Sequence, residues 1–174
     1  MRLWLRAAMI GVCALVVFDL TRGPRLPVPP TSRQLVDLLP LVLPKNPSEE
    51  QRACLALAIY HEARSDGWAG MEAVAHAVRN RMDALLYPQS ACGVVKQGGE
   101  TPPCQFSWWC DGKPDTPRNR HLHQMADHIA AAVLMDQYTD TTYGATSFHA
   151  TYVRPYWTEH MKKTVEIGRH VFYR

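Results

Sequence analysis

The sequence lacks a strong excess of either charge. Its 174 residues carry 19 Lys and Arg against 16 Asp and Glu, so the net charge is only +3. No dense basic patch is present, whereas a nucleic-acid-binding domain normally clusters its Lys and Arg residues on one face. We therefore expect no nucleic-acid partner. With 47% hydrophobic residues the chain can form a core, and its length predicts one domain with a short appendage.

The sequence also lacks a hydrophobic run long enough for a comfortable membrane span. The main apolar run extends from Ala7 to Phe18, follows two arginines, and ends at Asp19. As a helix it would span about 18 Å, against roughly 30 Å of bilayer hydrocarbon. Because no small-residue cleavage site follows, we predict an uncleaved signal anchor over residues 1–22, with a cleaved signal peptide as the alternative.

No internal repeat is visible, but one segment is unusually rich in proline. Residues 23–47 hold seven of the 13 prolines. Prolines at this density favour an extended, semi-rigid chain. We therefore predict a linker over residues 23–47, between the anchor and a main domain over residues 48–174.

The cysteines include no Cys-x-x-Cys pair, and their spacing matches no common zinc-ligand pattern. One of the five lies in the apolar run, and four lie in the main domain: Cys54, Cys92, Cys104 and Cys110. An even number in an exported domain predicts two disulfides, with three possible pairings. Oxidised cysteines supply no thiolate, which disfavours a cysteine nucleophile paired with His149 or His170. The disulfides and the apolar N-terminus together predict a body outside the cytoplasm.

Helical periodicity begins at Ser48. The segment Ser48-Glu49-Glu50-Gln51 matches a capping box, in which the Ser48 hydroxyl accepts a hydrogen bond from the Gln51 amide and the Gln51 side chain reaches back. The first helix is predicted to run from there to about Ser65.

Two further helices are predicted. Residues 67–70, Gly-Trp-Ala-Gly, should break the chain, and apolar periodicity then predicts a helix over about residues 71–87. A third helix is predicted over about residues 118–138. The turn-rich stretch 90–117 lacks helical periodicity, and the aromatic tail 141–174 favours short strands or loops.

Metal-binding motifs are incomplete. His61-Glu62 would open the metalloprotease motif His-Glu-x-x-His, but Ser65 stands where the second His is required. His121 and His123 could supply ligands, although histidines on a solvent-facing helix surface are the commoner case. We expect no metal and no cofactor.

Glu62 is the strongest candidate for chemistry. On the first predicted helix it shares one stripe with Leu55 and Ile59, so its carboxyl group continues an apolar face. Desolvation there disfavours the charged form, and a carboxyl group that stays protonated near neutral pH can protonate the leaving oxygen of a glycoside. The alternative is an exposed helix Glu paired with Arg52 or Arg64, and the residues alone leave both interpretations open.

Several blocks of sequence form a recognisable set. They are Cys54–Arg64, Ala73–Arg81, Cys92–Val95, Cys104–Trp108, Cys110–Gly112, Gly144–Ala150, Pro155–Trp157 and Ile167–Tyr173. In order and spacing, over roughly residues 50–174, they resemble the SleB/CwlJ cell-wall hydrolase family. One departure is Ser147, where related sequences often carry His, which puts one substrate contact in doubt.

The resemblance implies a mainly helical, α+β, compact lysozyme-like domain. It implies cleavage of peptidoglycan glycan strands between N-acetylmuramic acid and N-acetylglucosamine, with Glu62 as the general acid and base. Members of the family are commonly lytic transglycosylases, which form an anhydro product instead of adding water. We expect that product here because no second carboxylate can be assigned opposite Glu62, the nearest rivals being Asp66, Glu72 and Asp111.

The same resemblance guides the assignment of substrate contacts. Gln105, Ser107 and His149 are candidates for hydrogen bonds to the sugars, and Trp108 and Tyr152 for stacking on them. For Trp108 a place in the core is equally compatible with the sequence. Asn80 and Arg81 are interpreted as structural, with Asn80 joining the second helix to the active-site loop.

The expected partners are peptidoglycan glycan strands and, through the apolar N-terminus, the membrane. We expect a monomer at the periplasmic face of the inner membrane, or a released periplasmic or extracellular form. Wall remodelling and phage lysis as an endolysin both fit this sequence. The competing functions are a non-catalytic wall-binding module and an exported murein peptidase or amidase.

Overall fold

The computed structural model describes residues 47–174; the predicted anchor and all but the last residue of the predicted linker lie outside the described residues. Four α-helices and one small sheet form the domain, which confirms the mainly helical α+β prediction. The helices are α1 Glu49–Ala63, α2 Gly67–Asp83, α3 Ala91–Val95 and α4 Arg120–Leu134, and the strands are β1 Ser147–Ala150, β2 Lys163–Ile167 and β3 His170–Tyr173. Two 3₁₀ turns, Ser107–Cys110 and Tyr156–His160, complete the elements.

The start of α1 confirms half of the predicted capping box. The Ser48 hydroxyl accepts from the Gln51 amide at 3.3 Å. The Gln51 side chain does not reach back, because its Oε1 accepts from the backbone amide of Cys92 at 3.1 Å. Gln51 therefore ties α1 to α3 instead of closing its own helix end.

Helix α2 begins at Gly67, so the prediction that residues 67–70 break the chain is wrong. Gly67 adopts φ of +67°, which lets the chain reverse sharply after α1. At Gly70 a Cβ atom would lie 2.3 Å from Cβ of Asp66, so this glycine allows a close approach inside the helix. The helix ends at Asp83, short of the predicted residue 87, and the next two leucines, Leu85 and Leu86, are exposed.

The short helix α3 was not predicted. Ser90 caps it by accepting from the Gly93 amide at 3.1 Å. With five residues it is too short to display a helical period, yet Val94 and Val95 are buried in the core. The stretch 90–117 therefore contains a short helix that the sequence pattern did not indicate, because turn-forming residues surround it.

Both predicted disulfides are present. Cys54 pairs with Cys92 and joins α1 to α3, whereas Cys104 pairs with Cys110 and closes a short loop. The second pair brackets the aromatic segment 105–109, which carries three of the predicted substrate contacts.

Helix α1 lies at the centre of the core and packs against α2, α3 and α4. The sheet has the order β1-β3-β2 with antiparallel pairing, and Phe172 of the central strand is fully buried in the helical core. Phe148 of β1 pairs with Phe172 in register and packs on the same cluster. Between residues 47 and 174 no helix is both long and apolar enough to cross a membrane.

Candidate active site

Glu62 lies in the last turn of α1 and is half-buried. Burial raises the pKa of its carboxyl group from the usual 4.5 to about 6, although the Trp108 indole and the Arg81 and Arg64 guanidinium groups act in the opposite direction. The negative end of the helix dipole also disfavours a carboxylate at this position. Glu62 can therefore hold a proton close to neutral pH and still release it.

Trp108 connects this carboxyl group to the loop closed by Cys104–Cys110. Its ring stacks on His61 with centroids 4.5 Å apart, so one ring face is already covered. Its indole nitrogen is buried and makes no hydrogen bond of normal geometry to residues 47–174, although it lies near enough to lower the pKa of Glu62. The N–H group is therefore a donor available to a Glu62 carboxylate or to a ligand.

Arg81 is the residue whose importance the sequence interpretation underestimated. It is only 4% exposed, and its guanidinium carbon lies 5.5 Å from the ring centroids of both Tyr87 and Phe106. Its Nε donates to the carbonyl of Thr146, and its two Nη atoms lie 3.2 and 3.3 Å from Gln105 Oε1 when that amide is turned towards them. Arg81 thus brings a buried positive charge near Glu62, and no local sequence pattern signals that proximity.

Asn80 joins α2 to the loop before β1, in keeping with its predicted structural role, and the assignment of this loop to the active site stays a prediction. Its Nδ2 lies within hydrogen-bonding distance of Asp140 Oδ2 at 3.0 Å, Thr142 Oγ1 at 3.3 Å and the Ala145 carbonyl at 3.0 Å. Asp140 in turn accepts from the Thr142 and Gly144 amides. This network holds residues 140–145 in place, directly before Thr146, whose carbonyl accepts from Arg81.

The other predicted substrate contacts separate into two places. Gln105 and Ser107 are exposed on the disulfide-closed loop with Trp108. His149 lies instead in a cavity of about 430 Å³ on the other side of the sheet from Phe172. Its ring nitrogens already contact the Ala150 carbonyl at 2.9 Å and the Tyr173 hydroxyl at 3.1 Å, and Tyr152 is 84% exposed in the loop after β1.

The three rival carboxylates have different surroundings. The Asp66 side chain is 1% exposed and is bound by His170 and by the backbone and side chain of Arg169. Glu72 accepts from the Trp68 indole at 3.2 Å. Asp111 is exposed, pairs with Lys113 at 3.1 Å, and lines a cavity that Trp108 also lines.

Other reaction chemistries have less support from the described residues. Cys54, Cys92, Cys104 and Cys110 are all oxidised, so none of these four offers a thiolate nucleophile. Within residues 47–174 no three His, Cys, Asp or Glu side chains gather as a metal site.

Comparison with known sequences places this domain among wall-degrading proteins. The profile of the Cell Wall Hydrolase family matches residues 65–173. A spore cortex-lytic enzyme of Halalkalibacterium halodurans is 26% identical over 133 residues, which are 75% of this chain. The chain spans 36% of the length of that relative. The family match begins just after Glu62, so it does not itself assign that residue.

Two solved structures have a similar fold. The catalytic domain of the germination-specific lytic transglycosylase SleB from Bacillus anthracis gives a TM-score of 0.61 at 22% identity, covering 76% of this chain and all of that domain. The catalytic domain of Bacillus cereus SleB gives 0.60 at 23% identity, covering 76% of this chain and 95% of the other. At this identity the similarity concerns the fold.

Proposed function

Because the chain belongs to the Cell Wall Hydrolase family, as its sequence blocks indicate, we propose that it is a lytic transglycosylase of peptidoglycan. It cleaves the bond between N-acetylmuramic acid and N-acetylglucosamine, with Glu62 as the only proton-transfer group. The observation that carries this proposal is the half-buried Glu62 carboxyl group with a pKa of about 6. The similarity to a spore cortex-lytic enzyme and to a lytic transglycosylase domain supports it.

The reaction needs one carboxyl group in two protonation states. Protonated Glu62 gives its proton to the glycosidic oxygen as the bond to C1 of the muramic residue breaks, and the muramic N-acetyl group can stabilise the cation-like centre. The 6-hydroxyl of the same sugar then bonds to C1 and gives its proton to the Glu62 carboxylate. One C–O bond is exchanged for another, and Glu62 ends protonated as it began.

The surrounding groups suit the second half of this cycle. A carboxylate formed in a half-buried position requires compensating charge, and Arg81 and Arg64 supply it. The Trp108 indole N–H, which makes no hydrogen bond to another described residue, adds a donor for the Glu62 carboxylate. These groups keep the pKa of Glu62 near 6. At that pKa the protonated carboxyl group can act as an acid, and the carboxylate can act as a base.

The place of action follows from the substrate. We propose that the body acts outside the cytoplasm, held at the membrane by residues 1–22, as a monomer on glycan strands. Gln105, Ser107 and Trp108 lie on the loop beside Glu62 and are the proposed sugar contacts, so that this loop and the end of α1 form the proposed cleft. His149 and Tyr152 remain predicted contacts, and His149 lies in a separate cavity on the other side of the sheet from Phe172.

The substitution Glu62→Gln tests the proposal. It keeps size and hydrogen bonding but removes the transferable proton, so murein cleavage should fall at least about a hundredfold. Glu50→Gln, in the first turn of the same helix, is the matched control and should retain full activity. The measurement is turnover on purified sacculi, with mass analysis of the released fragments.

The fragments distinguish the competing functions. Muropeptides with 1,6-anhydromuramic ends are expected. Reducing muramic ends carrying oxygen from labelled water would indicate hydrolysis, and freed stem peptides would indicate a peptidase or amidase. Binding without cleavage would indicate a wall-binding module, and a folded Glu62→Gln protein with near-normal activity would contradict the assignment of the acid.

A further inference from the structure

A second cavity is lined by chain neighbours of the proposed catalytic residue, although Glu62 itself does not line it. It has a volume of about 390 Å³ and lies between the end of α1 and the loop of residues 111–118. His61, the chain neighbour of Glu62, lines it, and so does Trp108, which stacks on His61. The mechanism proposed above uses Arg64 and Trp108 from this lining, but gives no role to the cavity itself or to residues 111–118.

The walls of the cavity are held in place by specific contacts. The Tyr60 hydroxyl accepts from the amides of Arg118 and Asn119, each at 3.0 Å. A ring nitrogen of His61 lies 3.0 Å from the Asp115 carbonyl. The loop of residues 111–118 is thus tied at two points to the helix turn that carries Glu62.

The lining carries three cationic and two acidic side chains. The cations are Arg64, Lys113 and Arg118, the acids are Asp111 and Asp115, and only Lys113 among the three cations forms an ion pair with another residue of the described range 47–174. The Arg64 guanidinium donates to the Tyr60 and His61 carbonyls at 3.4 and 3.2 Å. Arginine side chains that lack a carboxylate partner are suited to recognise one on a ligand, often with two parallel hydrogen bonds.

The chemistry of peptidoglycan places such a ligand here. Its peptide branches from the lactyl group on the muramic residue, which is the sugar whose C1–O bond breaks at Glu62 in the proposed reaction. The branch therefore leaves the glycan strand close to Glu62, and it carries free carboxylates. Trp108 lines the cavity and also lies close enough to the Glu62 carboxyl group to lower its pKa, so the cavity is within reach of this branch.

We propose that the cavity between α1 and residues 111–118 binds the carboxylate-bearing stem peptide of the muramic residue being cleaved, through Arg118 and Lys113. This inference rests on the proposed function and specifies its substrate: glycan that still bears peptide, in preference to bare glycan. The mixed charge of the lining also suits a peptide that carries both carboxylates and an amine.

The test compares two soluble substrates of matched glycan length. One keeps its stem peptides, and the other has lost them to an amidase. The wild-type enzyme is expected to show kcat/KM about tenfold higher or more on the peptide-bearing strands. The double variant Lys113→Gln with Arg118→Gln should reduce that ratio to about one, because charged contacts of this kind contribute only when the carboxylate is present.

The control and the choice of residues keep the result interpretable. Arg52→Gln removes an exposed charge on α1 that pairs with Asp127 away from the cavity, and it should keep the wild-type ratio. Arg64 stays unchanged because it also affects the pKa of Glu62. Melting curves of each variant report whether the fold persists.

Three results would overturn the inference. They are a wild-type enzyme that cleaves both substrates equally, a double variant that keeps the wild-type ratio, and a double variant that loses activity equally on both. Failure of the proposed function gives a different result, because then neither substrate yields anhydromuramic ends.

Discussion

At the scale of single residues, the ionised form of the half-buried Glu62 destabilises the folded chain. A carboxyl group whose pKa rises from 4.5 to about 6 on folding binds its proton more tightly in the folded chain. The stability of the fold therefore decreases as pH rises through this interval and is lowest above it. Such a cost is typical of a residue placed for chemistry.

This linkage predicts that Glu62→Gln stabilises the protein while it abolishes activity. The variant removes the ionisation, so its Tm should exceed the wild-type Tm at pH 7.5, and the difference should disappear near pH 4. Thermal unfolding across this pH range is the measurement. Glu50→Gln should show no comparable trend, and a Glu62→Gln protein less stable than wild type at pH 7.5 would indicate a structural role for the carboxylate.

Arg81 should tune the pH dependence of the reaction. As an acid, Glu62 must be protonated, so kcat/KM should fall as pH rises above about 6. The charged or donating groups that act on it come from three places: Arg64 directly after α1, Arg81 on α2 and Trp108 on the 3₁₀ turn. Removing the Arg81 charge raises the pKa of Glu62 further and moves this alkaline limb to higher pH.

The measurement is a pH profile of kcat/KM for Arg81→Gln, with an expected upward shift of about 0.5 pH unit or more. The position of the limb does not depend on the fraction of folded enzyme, so partial destabilisation does not obscure it. Arg81→Lys keeps the charge and should restore the limb towards wild type. Arg79 lies on the same helix and pairs with Asp83 and Asp136, so Arg79→Gln should leave the alkaline limb of the profile unchanged. An unshifted limb in Arg81→Gln would refute the role of Arg81 in setting the pKa of Glu62.

At the scale of elements, the two disulfides have different tasks. Cys54–Cys92 spans 38 residues and joins two core helices, whereas Cys104–Cys110 spans six and closes the loop that carries Trp108. Loop-closure entropy gives the longer loop roughly 4 kcal/mol and the shorter one roughly 2 kcal/mol. The first therefore contributes more to global stability, and the second holds the cleft.

Paired serine variants should separate these effects. Replacing both Cys54 and Cys92 should lower Tm more, with residual activity below the transition close to wild type. Replacing both Cys104 and Cys110 should lower Tm less but reduce kcat/KM about tenfold or more, because the groups around Glu62 lose their fixed positions. Calorimetry and turnover at 20 °C provide the two readouts. A larger loss of Tm without Cys104–Cys110, or a larger loss of kcat/KM without Cys54–Cys92, would contradict these separate roles.

The elements also indicate what the sequence can predict. Helix α4 is visible because it buries one apolar face. Helix α1 is buried on several sides, including the stripe of Leu55 and Ile59, and Ser48 marks its start correctly. Helix α3 is too short to have a period, and Gly67 and Gly70 permit a tight helix start that resembles a break. Glu62 is predictable from its place on the stripe, whereas the proximity of Arg81 depends on how α2 packs.

At the scale of the whole molecule, the described domain and the N-terminal residues pose separate questions. The domain supplies the fold, the disulfides and the proposed cleft within residues 47–174. In our proposal localisation depends on residues 1–22, whose apolar run is marginal for a membrane span. Activity should therefore be separable from attachment.

The balance of energies in the N-terminal residues favours insertion with little margin. An ionised Asp at the bilayer centre costs about 2.5 to 3.5 kcal/mol on insertion scales, so Asp19 must lie at the interface. We predict that residues 3–18 cross the hydrocarbon, with Arg6 extending its charge towards the cytoplasmic headgroups. We expect the full chain in the membrane fraction, with the domain of residues 48–174 exported. Mild conditions should extract part of the protein from the membrane. A chain without residues 1–45 should be soluble and should cleave sacculi at the full rate. N-terminal sequencing of the mature protein tests the anchor. A mature N-terminus between residues 20 and 30 would indicate a cleaved signal peptide instead of an anchor, and it would leave the enzymatic proposal intact.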